Sequence, residues 1–295
     1  MKKIILVLMA MMLLLTSCQK SEDNVESESQ VTNDVSSSQI DVSSEISSEV
    51  PSSEVPKSTT EETSSKADSS HESSSAVKKQ SSSKPNDNTL TSKTAEFNYL
   101  EFMPKNYKEG TSYPLVIYLH GSGERGTDIN TVANISLPKF AKNGKKYPFY
   151  LIAPQINENE EWRFQIDKLN KFLDYLIEHY NVNKNQIYLT GNSLGGIGSW
   201  YWAEESGERF AAVVPVCGYG DLDKADKLVD IPIWAFHGAR DKAVDPNSTI
   251  DMVNKINSLG GNAKKTIYKN VQHNAWDYAY KDEKLFDWLL AQKKQ

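Results

Sequence analysis

The strongest chemical signal in this chain is a short loop, residues 191–195, with the sequence Gly-Asn-Ser-Leu-Gly. Its spacing is that of a nucleophile elbow, a tight turn from a strand into a helix that leaves the serine hydroxyl exposed. A strand is predicted over residues 186–190 and a helix over residues 193–205, so the motif has the context that it requires. A phosphate-binding glycine loop is the alternative, but this loop contains no Lys or Arg to favour it. We therefore interpret Ser193 as a candidate nucleophile.

Asp241 and His273 are the candidates that would activate this serine. A serine hydroxyl needs a base to take its proton, and a histidine base needs a carboxylate to fix its tautomer. Asp241 follows a strand predicted over residues 231–237, and Asp245 is the alternative acid four residues later. Of the five histidines only His273 follows Asp241, which gives the order Ser, Asp, His along the chain.

A glycine-rich loop, residues 120–126 (His-Gly-Ser-Gly-Glu-Arg-Gly), would supply the electrophilic half of such a site. Acyl transfer passes through a tetrahedral oxyanion, which backbone N–H groups stabilise. The residue after the nucleophile, Leu194, should donate one N–H group, and Ser122 should donate the other. His120 and His237 each end a predicted strand before a glycine, and we interpret both as structural residues that bond to loop backbone.

The elements that must position these loops alternate between strand and helix. Two nearly continuous apolar runs, residues 114–120 and 148–154, predict strands buried on both faces of a sheet. Apolar residues at three- and four-residue steps over 169–180 predict an amphipathic helix. The other predicted elements are strands at 186–190, 210–217, 231–237 and 265–269, and helices at 193–205, 248–259 and 275–292. The pattern predicts an α/β fold with a doubly wound, mostly parallel sheet, whose sites lie at the carboxyl ends of the strands. Thirteen residues separate Cys217 from Ile231, which leaves no room for a large cap domain.

The composition divides the chain at about residue 94. Residues 19–93 contain 24 Ser among 75 positions, no aromatic residue and a net charge of −7, so they predict a disordered linker. All 29 aromatic residues lie in residues 94–295, which we expect to be the folded catalytic domain. That domain is nearly neutral, which argues against a nucleic-acid partner. The chain has only two cysteines, which exclude a disulfide-rich scaffold and a cysteine-based zinc site.

The first residues have the pattern of an export signal. Lys2 and Lys3 precede an apolar run, residues 4–15, that is shorter than the about 20 residues of a membrane span. The run ends in Leu-Thr-Ser-Cys, which resembles the lipobox of bacterial lipoproteins. That resemblance implies a signal peptide over residues 1–17, a diacylglycerol-bearing Cys18 at the start of the linker (residues 18–93), and anchoring on the extracellular face of the cell membrane. A simple secretion signal that happens to contain a cysteine is the alternative.

From residue 114 onward, the chain resembles the α/β-hydrolase superfamily, and within it the prolyl-oligopeptidase-like and polyhydroxybutyrate-depolymerase-like esterases. The resemblance is carried by residues 115–126, Ala-Pro-Gln at 153–155, the elbow, residues 232–241 and His273. It implies a triad of Ser193, Asp241 and His273, with no metal and no organic cofactor.

Two further residues are candidates for contact with the substrate. Trp162 resembles an aromatic residue that lines the pocket in related esterases, and a tryptophan packed in the core is the equal alternative. Glu124 lies in the loop of residues 120–126, where an ion pair with Arg125 is the alternative to substrate contact.

Together these patterns predict a monomeric, membrane-anchored serine hydrolase of the carboxylesterase type. Its expected partners are an ester-bearing small molecule or polymer, such as an esterified polysaccharide, and the membrane through Cys18. A serine peptidase of the prolyl-oligopeptidase-like type is one alternative. A non-catalytic binding protein on a hydrolase scaffold is an alternative from another class.

Overall fold

The computed structural model describes residues 90–94 and 96–294. The predicted signal peptide, Cys18 and the linker up to residue 89 lie outside these residues, so what we expect of them stays a prediction. Within the described ranges, every helix is too short or too polar to cross a membrane.

Eight strands form one sheet in the order β1-β2-β4-β3-β5-β6-β7-β8. They are β1 (Leu90–Lys93), β2 (Asn98–Phe102), β3 (Tyr113–Leu119), β4 (Tyr150–Gln155), β5 (Val182–Asn192), β6 (Ala212–Val216), β7 (Trp234–Gly238) and β8 (Lys264–Tyr268). The pairs β1–β2 and β2–β4 are antiparallel, and the five other pairs are parallel. The predicted doubly wound, mostly parallel sheet is therefore confirmed.

The edge strand β1 corrects the predicted start of the folded part. The Ser-rich composition predicts a linker that extends to residue 93, yet residues 90–93 pair with β2 from Leu90↔Glu101 to Lys93↔Asn98. The sheet thus includes four residues that composition alone had placed outside it.

Between residues 96 and 294, six α-helices accompany the sheet: α1 (Ser136–Lys142), α2 (Ile166–His179), α3 (Leu194–Ser206), α4 (Pro246–Ser258), α5 (Trp276–Ala279) and α6 (Glu283–Ala291). Side chains alternate along β3, so that Leu115 and Ile117 join one apolar cluster and Val116 and Tyr118 join the cluster on the opposite face. The sheet is buried on both faces, as the continuous apolar runs predicted.

The predicted last helix, residues 275–292, is in fact two helices. α5 ends at Ala279, and a new helix, α6, begins after Asp282, whose side chain accepts a hydrogen bond from the N–H group of Lys284. Such a side-chain cap satisfies an N–H group that has no partner within the helix, so it starts a separate helix.

The parallel strands bring the loops that concern us to one edge of the sheet. Leu119 at the end of β3 is level with Gly191 in β5, and Gly238 at the end of β7 is level with Tyr268 in β8. The loops that follow β3, β5, β7 and β8 therefore meet at this edge, which we call the catalytic edge.

Candidate active site

Ser193 lies at the tip of a strained turn between β5 and α3. Its backbone has φ 54° and ψ −118°, a conformation that side chains with a Cβ rarely adopt. Glycines are required on both sides: a Cβ on Gly191 would lie 2.4 Å from the carbonyl oxygen of Gly195, and a Cβ on Gly195 would lie 1.9 Å from that of Leu119. The turn is fixed to β6 by a 2.9 Å hydrogen bond from the Ser193 N–H group to the Val216 carbonyl.

Ser193, His273 and Asp241 form a continuous chain of hydrogen bonds. The Ser193 Oγ atom lies 2.7 Å from His273 Nε2, and His273 Nδ1 lies 2.6 Å from Asp241 Oδ2. The Asp241 side chain is fully buried, whereas that of His273 is 29% exposed. An ionised carboxylate can only accept, so Nδ1 carries the proton and Nε2 is free to accept the proton of the serine hydroxyl. The three residues that sequence reasoning selected thus lie in the order that proton transfer requires.

The surroundings of Asp241 keep it ionised. Burial raises its pKa, but the hydrogen bond from His273 and those from the N–H groups of Val244 and Ala243 outweigh burial and lower the pKa below its ordinary value. Both N–H groups donate to Oδ1, at 3.0 Å and 2.8 Å. The alternative acid, Asp245, is exposed and caps the start of α4 by accepting a 2.9 Å bond from the Asn247 N–H group. The structure therefore brings Asp241, and not Asp245, to the histidine.

The predicted oxyanion donors lie on the two loops that face each other beside Ser193. Leu194 is the first residue of α3, where N–H groups have no partner within the helix. Ser122 begins a 3₁₀ turn, Ser122–Glu124, directly after β3. Among the described residues, the N–H groups of Ser122 and Leu194 donate to no acceptor, so both remain free to bind a ligand oxygen.

His120 and Trp162 hold the loop that carries Ser122. His120 Nδ1 lies 2.7 Å from the Gly121 carbonyl and Nε2 accepts a 3.2 Å bond from the Ile156 N–H group, while burial lowers the His120 pKa to about 4. The structural interpretation of His120 agrees with these contacts. Trp162 donates a 2.9 Å bond to the His120 carbonyl and has no exposed surface.

The burial of Trp162 corrects its assignment as a substrate contact. The side chain packs in the core against α3, where a Cβ on Gly198 would lie 2.3 Å from the Trp162 Cβ atom. The core alternative is the one that the structure supports, and Trp162 contacts the site through the carbonyl oxygen and the ring of His120.

The prediction of an ion pair between Glu124 and Arg125 is also wrong. Arg125 donates instead to backbone carbonyls, at 3.1 Å to Ser122 and 3.5 Å to Glu160. Glu124 is half-buried, and burial raises the pKa of its carboxyl group although the backbone N–H groups of Gly121 and of Glu124 itself oppose the shift. Its Oε2 atom is buried and has no hydrogen-bond partner among the described residues, so this oxygen is not exposed to a ligand in the present arrangement.

Sequence reasoning missed a buried polar cluster behind the elbow. The hydroxyl group of Tyr118 donates to Asn192 Oδ1, and Ser136 Oγ lies 3.3 Å from the same oxygen. All three residues are buried. The Asn192 side chain joins the turn to β3 and α1. The Tyr118 and Asn192 positions are 74 residues apart, so no local pattern could reveal the contact.

Three side chains of kinds that can bind a metal ion also lie close together here, although the resemblance implies no metal. Potential ligand atoms of Cys217, Asp241 and His273 lie within 4.8 Å of one another. Burial raises the pKa of the Cys217 thiol to about 12, so the sulfur stays protonated and is a poor ligand. The Asp241 and His273 atoms already bond to each other, so the cluster suits a proton relay better than a metal.

Known proteins share this architecture. Residues 92–256 match the model of a family described as "Putative esterase". A thermostable esterase is 30% identical, with a TM-score of 0.61 over 70% of this chain and 63% of that one. A feruloyl esterase module from Clostridium thermocellum has 17% identity and a TM-score of 0.53 over 66% and 84% of the two chains, which shows the fold.

One curated relative is the bifunctional acetylxylan esterase/xylanase XynS20E of Neocallimastix patriciarum, 23% identical over 77 residues. The match covers 26% of this chain and 12% of that protein. This chain therefore spans less than two thirds of both the relative and the thermostable esterase.

Proposed function

The chain belongs to the esterase family whose model it matches over residues 92–256, and we propose that it is a serine carboxylesterase with a catalytic triad of Ser193, His273 and Asp241. The chain is an ester-acting hydrolase of the α/β-hydrolase superfamily, and the triad names the residues that we propose as catalytic. The observation that carries it is the pair of hydrogen bonds, 2.7 Å from Ser193 to His273 and 2.6 Å from His273 to Asp241.

The geometry supports a two-step reaction. As Ser193 Oγ attacks the ester carbonyl carbon, its proton passes to His273 Nε2, and the carbonyl oxygen becomes an oxyanion held by the N–H groups of Leu194 and Ser122. The C–O bond then breaks, and His273 gives the proton to the departing alkoxide. Water, deprotonated by His273, attacks the acyl-enzyme; the acid leaves and the proton returns to Ser193. Asp241 stays ionised throughout and accepts the hydrogen bond from His273 Nδ1–H.

We propose that the substrates are esters carried by polysaccharides or other polymers. The segment between β6 and β7 is short and contains only a 3₁₀ turn, Leu222–Leu228, so no large cap covers the catalytic edge from that segment. The relatives named acetylxylan esterase and feruloyl esterase support this class of substrate. Glu124, which is half-buried in the turn after β3, is proposed to contact the alcohol part of the ester.

A serine-to-alanine exchange tests the assignment. Ser193→Ala should abolish the hydrolysis of p-nitrophenyl acetate and labelling by a fluorophosphonate, because both require the attacking Oγ atom. Ser258→Ala, at the exposed end of α4, is the matched control and should behave as the unchanged protein does.

Turnover by the Ser193→Ala variant would refute the triad. A folded, unchanged protein that is not labelled would instead favour the non-catalytic binding protein. Cleavage of acyl-peptides in preference to acetylated or feruloylated xylan would move the assignment to a peptidase.

We also propose that Cys18 carries diacylglycerol and anchors a monomeric enzyme to the extracellular face of the membrane. The support is the apolar run of residues 4–15 followed by Leu-Thr-Ser-Cys. Metabolic labelling with an alkyne fatty acid should mark the full chain and not its Cys18→Ser variant. Equal labelling of both chains would refute lipid attachment at this residue.

A further inference from the structure

A second histidine contacts the acid of the proposed triad. His237 lies in β7, one residue before its end, and its side chain is fully buried. Its Nε2 atom lies 3.1 Å from Asp241 Oδ2 and 3.1 Å from the Val244 carbonyl oxygen. Both neighbours are acceptors, so Nε2 must carry a proton that it shares between them.

The other ring nitrogen of His237 contacts a residue of α4. His237 Nδ1 lies 2.8 Å from the hydroxyl oxygen of Thr249, a buried residue whose hydroxyl group also lies 3.2 Å from the Gly218 carbonyl oxygen. Burial lowers the pKa of His237, against the opposing effect of Asp241, so the ring is neutral and Nδ1 accepts the Thr249 hydroxyl proton. Hydrogen bonds thus run in one direction, from Thr249 to His237 and from His237 to Asp241.

This contact completes the hydrogen bonding of the carboxylate. Asp241 Oδ1 accepts from the N–H groups of Ala243 and Val244, and Oδ2 accepts from His273 and His237. With two donors on each oxygen, rotation of the carboxylate would break bonds on both sides. Without His237, the nitrogen donor that remains on Oδ2 among the described residues is His273, the residue that must itself be held in place.

We propose that His237 is a positioning residue for ester hydrolysis: its Nε2–H group fixes Asp241 Oδ2 so that His273 stays aligned with Ser193 during proton transfer. The inference rests on the proposed function, and it changes the role of His237 from bonding loop backbone alone to holding the catalytic acid. The His237 side chain is fully buried and makes no hydrogen bond to Ser193, so the proposed effect on catalysis passes through Asp241.

Two substitutions of similar length separate this role from simple packing. In His237→Gln the amide nitrogen can replace Nε2 as a donor, whereas His237→Met fills the space without a donor. We expect His237→Met to lower kcat about 10- to 100-fold with little change in KM, the cost of a loosely held catalytic group. His237→Gln should recover most of this loss. His179→Gln, on the exposed end of α2, is the control and should leave kcat unchanged.

The assay must count only folded sites. Each variant is titrated to completion with a fluorophosphonate, and kcat is expressed per labelled site, so that partial misfolding does not imitate a catalytic defect. Independently of turnover, proton NMR reports the His273 Nδ1–H resonance, which should lie far downfield in the unchanged protein and in His237→Gln. In His237→Met it should move upfield or broaden.

The kcat values and the Nδ1–H resonance together test the role of His237. Normal kcat per labelled site in His237→Met with an unmoved Nδ1–H resonance would overturn the inference, as would equal losses in the Gln and Met variants. If both His237 variants fail to fold, Thr249→Val and Thr249→Ser take their place: Val should lower kcat and Ser should restore it, and equal kcat in the two would overturn the proposal. A folded, unchanged protein that is not labelled at all would refute the proposed function itself.

Discussion

Replacing Asp241 by asparagine should prevent His273 from acting as the base while leaving the shape of the site nearly unchanged. The carboxylate accepts four hydrogen bonds, two on each oxygen. An amide has one oxygen, and the N–H groups of Ala243 and Val244 will retain it because they are fixed by the backbone. The amide nitrogen then faces His273 Nδ1 and also His237 Nε2, whose proton is left to the Val244 carbonyl oxygen. A donor there forces Nδ1 to accept, so the proton of the neutral ring moves to Nε2, which can no longer take the proton of Ser193.

The expected magnitude follows from losing the correct tautomer. In serine hydrolases with this arrangement, an acid-to-amide exchange lowers kcat about 10⁴-fold, or roughly 5 kcal/mol of transition-state stabilisation. KM should change little, because Asp241 is buried behind His273 and does not reach the substrate. The measurement is kcat for p-nitrophenyl acetate in Asp241→Asn, with the folded fraction taken from thermal unfolding.

Asp245→Asn is the matched control. Asp245 caps α4, and asparagine caps helices about as well as aspartate, so both kcat and stability should stay near those of the unchanged protein. If Asp241→Asn kept kcat within tenfold, or if Asp245→Asn carried the large loss, the assignment of the acid would be wrong.

Two further predictions concern stability. Burial raises the pKa of Glu204 to about 7, because the fold favours the protonated carboxyl group. The free energy of unfolding is therefore highest below about pH 4 and falls as the pH rises through 7, by about 3 kcal/mol in all. Glu204→Gln cannot ionise, so its urea midpoint should fall less than that of the unchanged protein between pH 5 and pH 8; parallel falls would contradict this. Gly195→Ala should destabilise the protein by at least about 2 kcal/mol, because the new methyl group would lie 1.9 Å from the Leu119 carbonyl oxygen, and that backbone cannot move away cheaply. A normal melting temperature for Gly195→Ala would show that the elbow is looser than this distance implies.

The features that the sequence predicted well are those encoded locally. Apolar runs of seven residues identified β3 and β4, and Gly191 and Gly195 identified the elbow, because each is a property of a few neighbouring residues. The break before α6 is also encoded locally, by the capping residue Asp282, although the apolar pattern predicted one helix over residues 275–292.

The features that it missed depend on contacts between distant elements. Composition could not show that residues 90–93 pair with β2, since pairing is decided by the partner strand. Trp162 was ambiguous because its burial depends on the close approach of α3 at Gly198. The choice between Asp241 and Asp245 likewise required the path of the loop after β7.

His237 shows the same limit within the site. Its position before a glycine at the end of a strand was visible in the sequence, but its partners, Asp241 and Thr249, are brought together by the packing of α4 on β7. Hydrogen-bond direction, which gives the contact its meaning, depends on knowing all the neighbours of both ring nitrogens.

The register of β1 determines where the chain enters the folded domain. Leu90 is level with Glu101, near the end of β2, and Phe102 is in turn level with Leu151, near the start of β4. Leu90 therefore lies at the opposite end of the strands from Ser193. If the preceding segment is a tether to the cell surface, its point of attachment is on the far side of the domain from the substrate. A bulky polymer that reaches Ser193 then approaches the end of the strands opposite to Leu90.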